Sequence, residues 1–522
     1  MTYPELDFNP QFQRAWDIIA SSSKNVLITG RAGTGKSTFL RYLMENLKKS
    51  LAVLAPTGVS AINVKGQTIH SFFGFKPDIT LSKVSELKPD KEKRKIYENL
   101  ETLIIDEISM VRADLFDCVE AFLSKWGPFP KRPFGGVQLI LIGDLYQLPP
   151  VVTSREKGVF PLLYDTPYFF SSRSFRENKI EFIECERIYR QRDAEFIEIL
   201  NQIRKGVVED KTLELLNERV IPDFVPEEDD FFVYLTATNF RADSINLSRL
   251  NNLKGRVFEF EGRIKGRVEK DDLPSPLILR IKKKAQVMLV ANDPEGRWVN
   301  GDLGRVKYID ENEKVIGIEL ERGYEVDVSP YRWDIYEYYY DRERSKVDVR
   351  TIGSFTQFPI KLAWAITIHK SQGLTFDRVV IDLERGTFAH GQLYVALSRS
   401  RTLSGIILTK PVKRGHIKLD RKVVRFLVGF QYEKAKETLS LPERIDILKR
   451  AISQGKELEI VYLKSSDVKT VRRIIPLEIK EMEFKDRTFP GLLAFCRLRN
   501  GERVFNIEKI IQIREQDEKS GK

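Results

Sequence analysis

Two short stretches carry residues whose types and spacing suit phosphate chemistry. The first, Gly30-Arg31-Ala32-Gly33-Thr34-Gly35-Lys36-Ser37, follows the apolar run Asn25–Thr29 and opens a run of helical periodicity at about residues 36–48. It fits the pattern GxxxxGK[ST] in its strand–turn–helix setting. Glycines permit a tight loop whose N–H groups point at phosphate oxygens, and the helix N-terminus behind it favours negative charge. Lys36 is placed to reach the β- and γ-phosphates, and the Ser37 hydroxyl to bind Mg²⁺. Gly30, Ala32, Gly33, Thr34, Gly35 and Thr38 complete the expected nucleotide-binding set. The second stretch, Leu103-Ile104-Ile105-Asp106-Glu107, is an apolar strand ending in adjacent carboxylates. Asp106 is expected to hold Mg²⁺ and Glu107 to polarise an attacking water. Together they indicate a nucleoside triphosphatase that uses Mg²⁺. Kinases, GTPases, clamp loaders and motors all remain open at this point.

These residues need a scaffold. Asn25–Thr29, Leu51–Ala55, Thr102–Ile105 and Val137–Ile142 read as short buried strands alternating with helices, the signature of a parallel α/β sheet. Residues 11–20 read as a helix with Phe12, Ala15, Trp16 and Ile19 on one face. Residues 63–98 break the rhythm and read as a small insertion, so a first domain spans 1–185. A second α/β unit, 186–430, has strands at Phe232–Leu235 and Arg378–Asp382. Between them, roughly 265–358, short alternating strands such as QVMLVAN and VIGIEL predict an inserted β-barrel. Residues 431–440 read as a linker and 441–522 as a separate α+β module. There Ser440 and Glu443 form a capping box, and the helix behind places Ile445, Leu448 and Ile452 together before stopping at Gly455.

Composition narrows the partners. The chain has 522 residues, 42% of them hydrophobic, enough for several buried cores. Lys and Arg exceed Asp and Glu by 86 − 75, a net charge of +11, which favours a polyanion whose counterions basic side chains displace. Cys118, Cys185 and Cys496 are far apart with no CxxC pair, which argues against a zinc site or a disulfide framework. There is no signal-peptide pattern and no run approaching 18 apolar residues, so the expectation is a cytoplasmic protein of the bacterial cytosol with no membrane partner.

Further blocks, in order, carry a resemblance. Gln13 precedes the phosphate loop. Ala55-Pro56-Thr57-Gly58 and Gly66-Gln67-Thr68-Ile69-His70-Ser71-Phe72 follow it. Then come Gly143-Asp144-Leu145-Tyr146-Gln147-Leu148-Pro149-Pro150, Ile188-Tyr189-Arg190-Gln191, Ile368-His369-Lys370-Ser371-Gln372-Gly373-Leu374-Thr375 and Tyr394-Val395-Ala396-Leu397-Ser398-Arg399. Over residues 1 to about 425 the chain resembles the Pif/RecD branch of superfamily-one helicases. The resemblance implies two RecA-like parallel-sheet domains with a wedge element at 63–98 and an SH3-like β-barrel marked by Val299-Asn300-Gly301-Asp302-Leu303-Gly304. It implies an ATP-dependent 5′→3′ DNA helicase. Gln13 would read adenine, Gly373 would border the nucleotide, and Gln147 would sit between γ-phosphate and DNA. Arg190 and Arg399 would act as arginine fingers. Pro56, Thr57, Gly58, Thr68, His70, Ser71, Phe72, His369, Lys370 and Thr375 would contact DNA, through phosphates and stacked bases. The implied partners are single-stranded DNA, tailed duplex or forked DNA and G-quadruplex DNA, with the enzyme acting as a monomer.

Residues 441–515 resemble a WYL domain, an Sm-like fold, in Ala451-Ile452 with Gly455 and Tyr462, Arg472 with Pro476, and Arg499 with Arg503 and Phe505. The tripeptide behind the family's name reads Pro490-Gly491-Leu492, and Lys509 stands where arginine is usual. Arg472, Arg499 and Arg503 are a candidate anion site. A generic role in single-stranded DNA binding or in regulation stays open beside it. Two rival readings of the whole chain are an ATPase that binds nucleic acid without unwinding and a ligand-sensing regulator.

Overall fold

The computed structural model describes residues 7–152, 160–190, 193–227, 230–268, 273–344, 346–382, 389–466, 468–484 and 487–515. Gln191, part of the fourth block, lies outside these. No described helix is long and apolar enough to cross a membrane.

The first sheet is built from β1 (Asn25–Gly30), β2 (Leu51–Ala55), β3 (Gln67–Thr68), β4 (Thr102–Ile105), β5 (Gln138–Gly143) and β6 (Ile180–Cys185). All pairs are parallel, in the order β3-β2-β4-β5-β1-β6. Its central strands are buried nearly throughout, as a sheet covered on both faces requires. The helix Pro10–Ser21 starts where Asn9 accepts from the Gln11 and Phe12 N–H groups and Pro10 presets φ. It buries Phe12, Ala15 and Ile19 against Val26, Ile28, Phe39 and Leu40. Phe12 stacks on Phe39 at 4.7 Å.

The segment 63–98 is not wholly an insertion. Its opening supplies β3, whose residues pair in register with Leu54 and Ala55. Helices Leu81–Glu86 and Lys91–Glu98 follow. Phe73, Phe75 and Tyr97 set their rings against Phe122 of the helix Ala113–Trp126.

The second lobe, taken from residue 186, has β7 (Val233–Thr236) as its first strand. Its insertion runs from Phe258 to Leu362, wider than the 265–358 expected. It holds β8 (Phe258–Glu261), β9 (Arg263–Gly266), β10 (Ile278–Ile281), β11 (Gln286–Leu289), β12 (Leu303–Asp310), β13 (Val315–Leu320), β14 (Glu325–Val328), β15 (Tyr331–Asp341), β16 (Lys346–Gln357) and β17 (Ile360–Leu362). The strands form three sheets: β10-β8, β14-β13-β12-β11-β17 and β15-β16-β9. The first two share one apolar core that includes Phe258, Ile281, Val287, Val306, Ile318 and Ile360. The third is a long antiparallel arm. The lobe closes with β18 (Ala365–Thr367), β19 (Val379–Ile381) and β20 (Ile406–Leu408), in the parallel order β18-β7-β19-β20.

The arm docks on the first lobe. β3 is too short to pair with Val53, so the edge of β2 would leave a buried N–H and carbonyl open. The Tyr338 hydroxyl takes both, accepting from Val53 N at 2.7 Å and donating to its carbonyl at 3.3 Å. Lys93 meets Glu337 at 3.7 Å beside it.

Residues 420–522 form a second compact unit. The expected linker at 431–440 is mostly helix: Arg421–Thr438 is continuous, capped at its start by Asp420. Its apolar stripe, with Val423, Val424, Leu427 and Val428 buried, explains why it holds. The helix Leu441–Gln454 follows, with both hydrogen bonds of the Ser440–Glu443 capping box and a left-handed Gly455 at its end. It packs through Leu448 and Ala451 on a sheet of β21 (Leu458–Leu463), β22 (Lys469–Phe484), β23 (Arg487–Cys496), β24 (Gly501–Asn506) and β25 (Ile510–Glu515), ordered β24-β23-β22-β21-β25.

Tyr338→Phe leaves the Val53 N–H buried without a partner and should cost about 1–3 kcal/mol. The urea unfolding midpoint of the variant is expected to fall with an unchanged slope; an unmoved midpoint would show that the arm does not stabilise the first lobe.

Candidate active site

A cavity of about 420 Å³ opens where the C-terminal ends of β1, β4 and β5 face the second lobe. The first lobe contributes the loop Ala32–Thr38, Asp106, Glu107, Asp144 and Gln147. The chain beyond β6 and the second lobe contribute Tyr189, Arg190, Gly373, Thr375, Arg399 and Arg401.

Loop geometry follows from its glycines. Gly33 and Gly35 have φ of 79° and 83°, the left-handed region that glycine enters at no steric cost. At Gly30 a Cβ would stand 2.6 Å from the Cys185 carbonyl oxygen of the adjacent strand. The Lys36 ammonium is folded back on the loop, donating to the Gly30 and Arg31 carbonyls at 2.7 and 2.8 Å. Burial lowers its pKa, while Asp144, Cys185 and Glu107 oppose the shift.

The carboxylates stand opposite. Asp106 Oδ1 accepts the Glu107 N–H at 2.9 Å. Glu107 has φ 49°, a conformation costly for a residue with a Cβ and one that turns the chain sharply out of β4. Burial pushes both carboxyls above the usual carboxylate range, and the Asp106 charge pushes Glu107 further. The Ser37 hydroxyl and the Asp106 carboxylate are hard oxygen donors lining one cavity. Among the described residues no group of three or more His, Cys, Asp or Glu gathers around a metal position. Such a sparse set suits Mg²⁺, which keeps waters and takes phosphate oxygens as its other ligands.

The second lobe supplies cations. Arg399 is 1% exposed, and its guanidinium donates to the carbonyls of Val395, Ser371 and Leu374 and to the Ser398 hydroxyl, at 2.8–3.1 Å. Among the described residues no carboxylate hydrogen-bonds it. Burial, and next the like charge of Arg190, push it down to about 9, which leaves it charged at neutral pH. Arg190 donates to the Gly373 carbonyl at 3.2 Å, and its Nη1 is buried without a partner. Two guanidinium groups held, among the described residues, by neutral oxygens and lining one cavity with Lys36 form a setting for a polyanion.

Several expected positions move. Gln13 is exposed on the first helix, with its amide on Asp17 at 2.8 Å, and does not reach the cavity. Thr375, expected to contact DNA, lines the nucleotide cavity. Phe72 is 4% exposed, edge-on to Phe73, Tyr97 and Tyr338, and therefore belongs to the core. Thr57 and Thr68 spend their hydroxyl oxygens capping the helices Gly58–Asn63 and Ile69–Phe73, and Gly58 is buried. Pro56, His70 and His369 are half-buried, while Ser71 and Lys370 are exposed. Arg499 and Arg503 are exposed and Arg472 is half-buried, its Nη1 without a partner; among the described residues no hydrogen bond or ion pair joins the three.

Two residues escaped sequence reasoning. Tyr189 lines the cavity, with its N–H on the Gly33 carbonyl and its hydroxyl accepting from Asn9 at 3.1 Å. Arg204 is fully buried and pairs with Asp144 at 3.2 Å. In the sequence it looks like the basic last turn of an amphipathic helix, where a cation normally serves the dipole from solvent.

The PIF1-like helicase family model matches residues 11–214, the UvrD-like helicase C-terminal domain residues 362–407 and the WYL domain residues 443–515. The ATP-dependent DNA helicase Pif1 of Bdellovibrio bacteriovorus is 33% identical over 442 residues, covering 83% of this chain and 94% of the relative. The crystal structure of Bacteroides sp Pif1 with ADP-AlF4 superposes with a TM-score of 0.74 at 35% identity, covering 83% of this chain and 98% of that one. Bacteroides Pif1 bound to ssDNA gives 0.61 at 35% identity, covering 82% and 98%. With the nucleotide cavity assembled from both lobes and these relatives aligned over nearly their whole length, the chain belongs to the Pif1 family of ATP-dependent DNA helicases and carries a WYL domain behind the helicase core.

Proposed function

We propose that this helicase translocates 5′→3′ on single-stranded DNA and unwinds tailed or forked duplexes, driven by ATP hydrolysis in the cavity between its lobes. One observation carries the reading: Lys36 and Glu107 of the first lobe and Arg190 and Arg399 of the second line a single cavity. The loop N–H groups and Lys36 hold the triphosphate. Ser37 and Asp106 hold Mg²⁺, which neutralises phosphate charge when bound. Glu107, set in its strained turn, accepts a proton from the attacking water. Arg190 and Arg399 meet the charge that develops on the transferring group, a contribution of about 10³–10⁵ in rate. Because those arginines ride on the other lobe, hydrolysis is tied to lobe position.

One contact supports coupling to DNA. Gln372 donates to the Gln147 Oε1 at 3.2 Å, joining the cavity to the segment that carries exposed Lys370. Bacteroides Pif1 binds ssDNA in a solved structure, which supports a single strand as the track. Contacts made to phosphates by Lys370 and to backbone by the capped helix starts at Thr57 and Thr68 suit a motor that ignores sequence. The polarity follows the family resemblance. The WYL domain adds affinity for the same strand through Arg472, Arg499 and Arg503.

Lys36→Ala is expected to lower ATP turnover by about 10²-fold or more while single-strand binding persists; normal turnover would remove the assignment. In a strand-displacement assay only duplexes with a 5′ overhang should be unwound, and preference for a 3′ overhang would reverse the polarity. Changing Arg499 and Arg503 together to Ala should weaken single-strand binding and flatten its salt dependence by roughly one phosphate contact or more. An unchanged slope would detach the WYL domain from DNA.

A further inference from the structure

Two groups of the phosphate loop already have partners within the protein, and one partner comes from the other lobe. The Lys36 ammonium rests on loop carbonyls. The Ala32 N–H donates to the Tyr394 hydroxyl across 3.1 Å. Tyr394 stands on the helix Gln392–Leu397 of the second lobe and is 3% exposed. Its hydroxyl donates to Asp144 Oδ2 at 3.2 Å, and Asp144 Oδ1 accepts from Arg204 Nη2 at 3.2 Å. A phenol has one proton. With that proton on Asp144, the Tyr394 oxygen can only accept from Ala32. The chain of donors thus runs one way, from the loop through Tyr394 to the carboxylate that Arg204 fixes. Burial, reinforced by the Asp144 charge, pushes the phenol far above its ordinary value and keeps it a neutral hydroxyl.

Ala32 lines the nucleotide cavity, whereas Tyr394 lies behind the wall and borders a water-sized void with Tyr146 and Arg204. The loop N–H therefore faces a choice of acceptor. A neutral phenol oxygen is a weaker acceptor than an ionised phosphate oxygen, whose hydrogen bonds are roughly twice as strong. Ala32, Arg190 and Arg399 line the same cavity, and a terminal phosphate drawn to the two guanidinium groups is the acceptor that would compete for the Ala32 N–H.

We infer that Tyr394 competes with the terminal phosphate of a nucleoside triphosphate for the Ala32 N–H: its hydroxyl keeps that N–H when a diphosphate is bound and gives it up to a third phosphate, so that only the triphosphate breaks the tie. The inference rests on the ATP-site reading given above. Tyr394 is a positioning residue, acting through Ala32 and Asp144. Losing the Ala32 bond removes a tie between the lobes on the same element that leads to Arg399, whose Nε binds the Val395 carbonyl at 2.9 Å. Arrival of the third phosphate is thus registered on the segment that supplies the finger.

The test uses the full chain with Mg²⁺ and compares wild type with Tyr394→Phe, which keeps the ring and removes only the hydroxyl. Dissociation constants are measured for ADP and for a non-hydrolysable ATP analogue, AMP-PNP, and amide exchange is followed at Ala32 without nucleotide. Removing the competing acceptor should tighten AMP-PNP relative to ADP by about two- to tenfold, the worth of one hydrogen bond. Ala32 exchange should speed up in the nucleotide-free variant. Equal weakening of both nucleotides would make Tyr394 mere scaffolding and overturn the inference, as would an unchanged ratio or an Ala32 amide equally protected in both proteins. Wild type that binds neither nucleotide would defeat the ATP-site reading itself, a result visible before any variant is made.

Discussion

Asp144 is the buried charge on which the two lobes meet. It follows directly on the first-lobe strand β5, is 1% exposed, and takes Arg204 and Tyr394 from the second lobe. Removing such a pair from water is costly and is recovered only where geometry is good and the remaining lone pairs are filled. On the Asp144 side they are filled, by the Tyr146 N–H and the Tyr394 hydroxyl; on the other side Nε and Nη1 of Arg204 are buried without a hydrogen-bond partner, and the guanidinium lies 4.2 Å over the Tyr146 ring. A seam of this kind sets register more than it adds adhesion. Apolar surfaces would slide, whereas a directional ion pair with a phenol on one side admits one arrangement at a time. That arrangement brings Arg399 and Arg190 to face Lys36.

The electrostatics of the cavity follow from that placement. Its cations are held by carbonyls and hydroxyls, and its carboxylates by burial and one backbone N–H. Among the described residues no ion pair neutralises Lys36, Asp106, Glu107, Arg190 or Arg399, whereas Asp144 and Arg401 of the same lining pair with Arg204 and Asp377. Desolvation of this sort is tolerable where a ligand supplies the missing charges, and perturbed groups in a cleft are the usual mark of a working site. The carboxylates need a divalent cation and the guanidinium groups need phosphate, so nucleotide with Mg²⁺ satisfies both at once.

Much of this was legible in the sequence because local geometry forces it. A glycine-bearing loop between an apolar strand and a helix, and an apolar strand ending in Asp106-Glu107, can be recognised without tertiary information, and both lie where expected. The capping box at Ser440 and the stop at Gly455 were equally readable. Residues that depend on long-range packing were not. Phe72 sits in a block with polar neighbours, yet Tyr338, distant in sequence, buries it. Thr375 shares a block with Lys370 but turns into the cavity. Arg204 carries no local sign that Asp144 awaits it across the seam. The second-lobe insertion was read as one barrel because alternation along a strand does not say which strands will pair; the aromatic run in β15 forms an arm instead.

The central claim is that ATP is hydrolysed only where both lobes contribute, with a guanidinium of the second lobe meeting the transition state. The most direct measurement is single-strand-stimulated kcat for Arg399→Lys, which keeps the charge but not the planar fork, alongside its affinity for ADP. The account predicts a fall in kcat of about 10³-fold with ADP affinity held within a few-fold. Turnover near the wild-type rate would mean that the second lobe stands beside the chemistry without taking part in it.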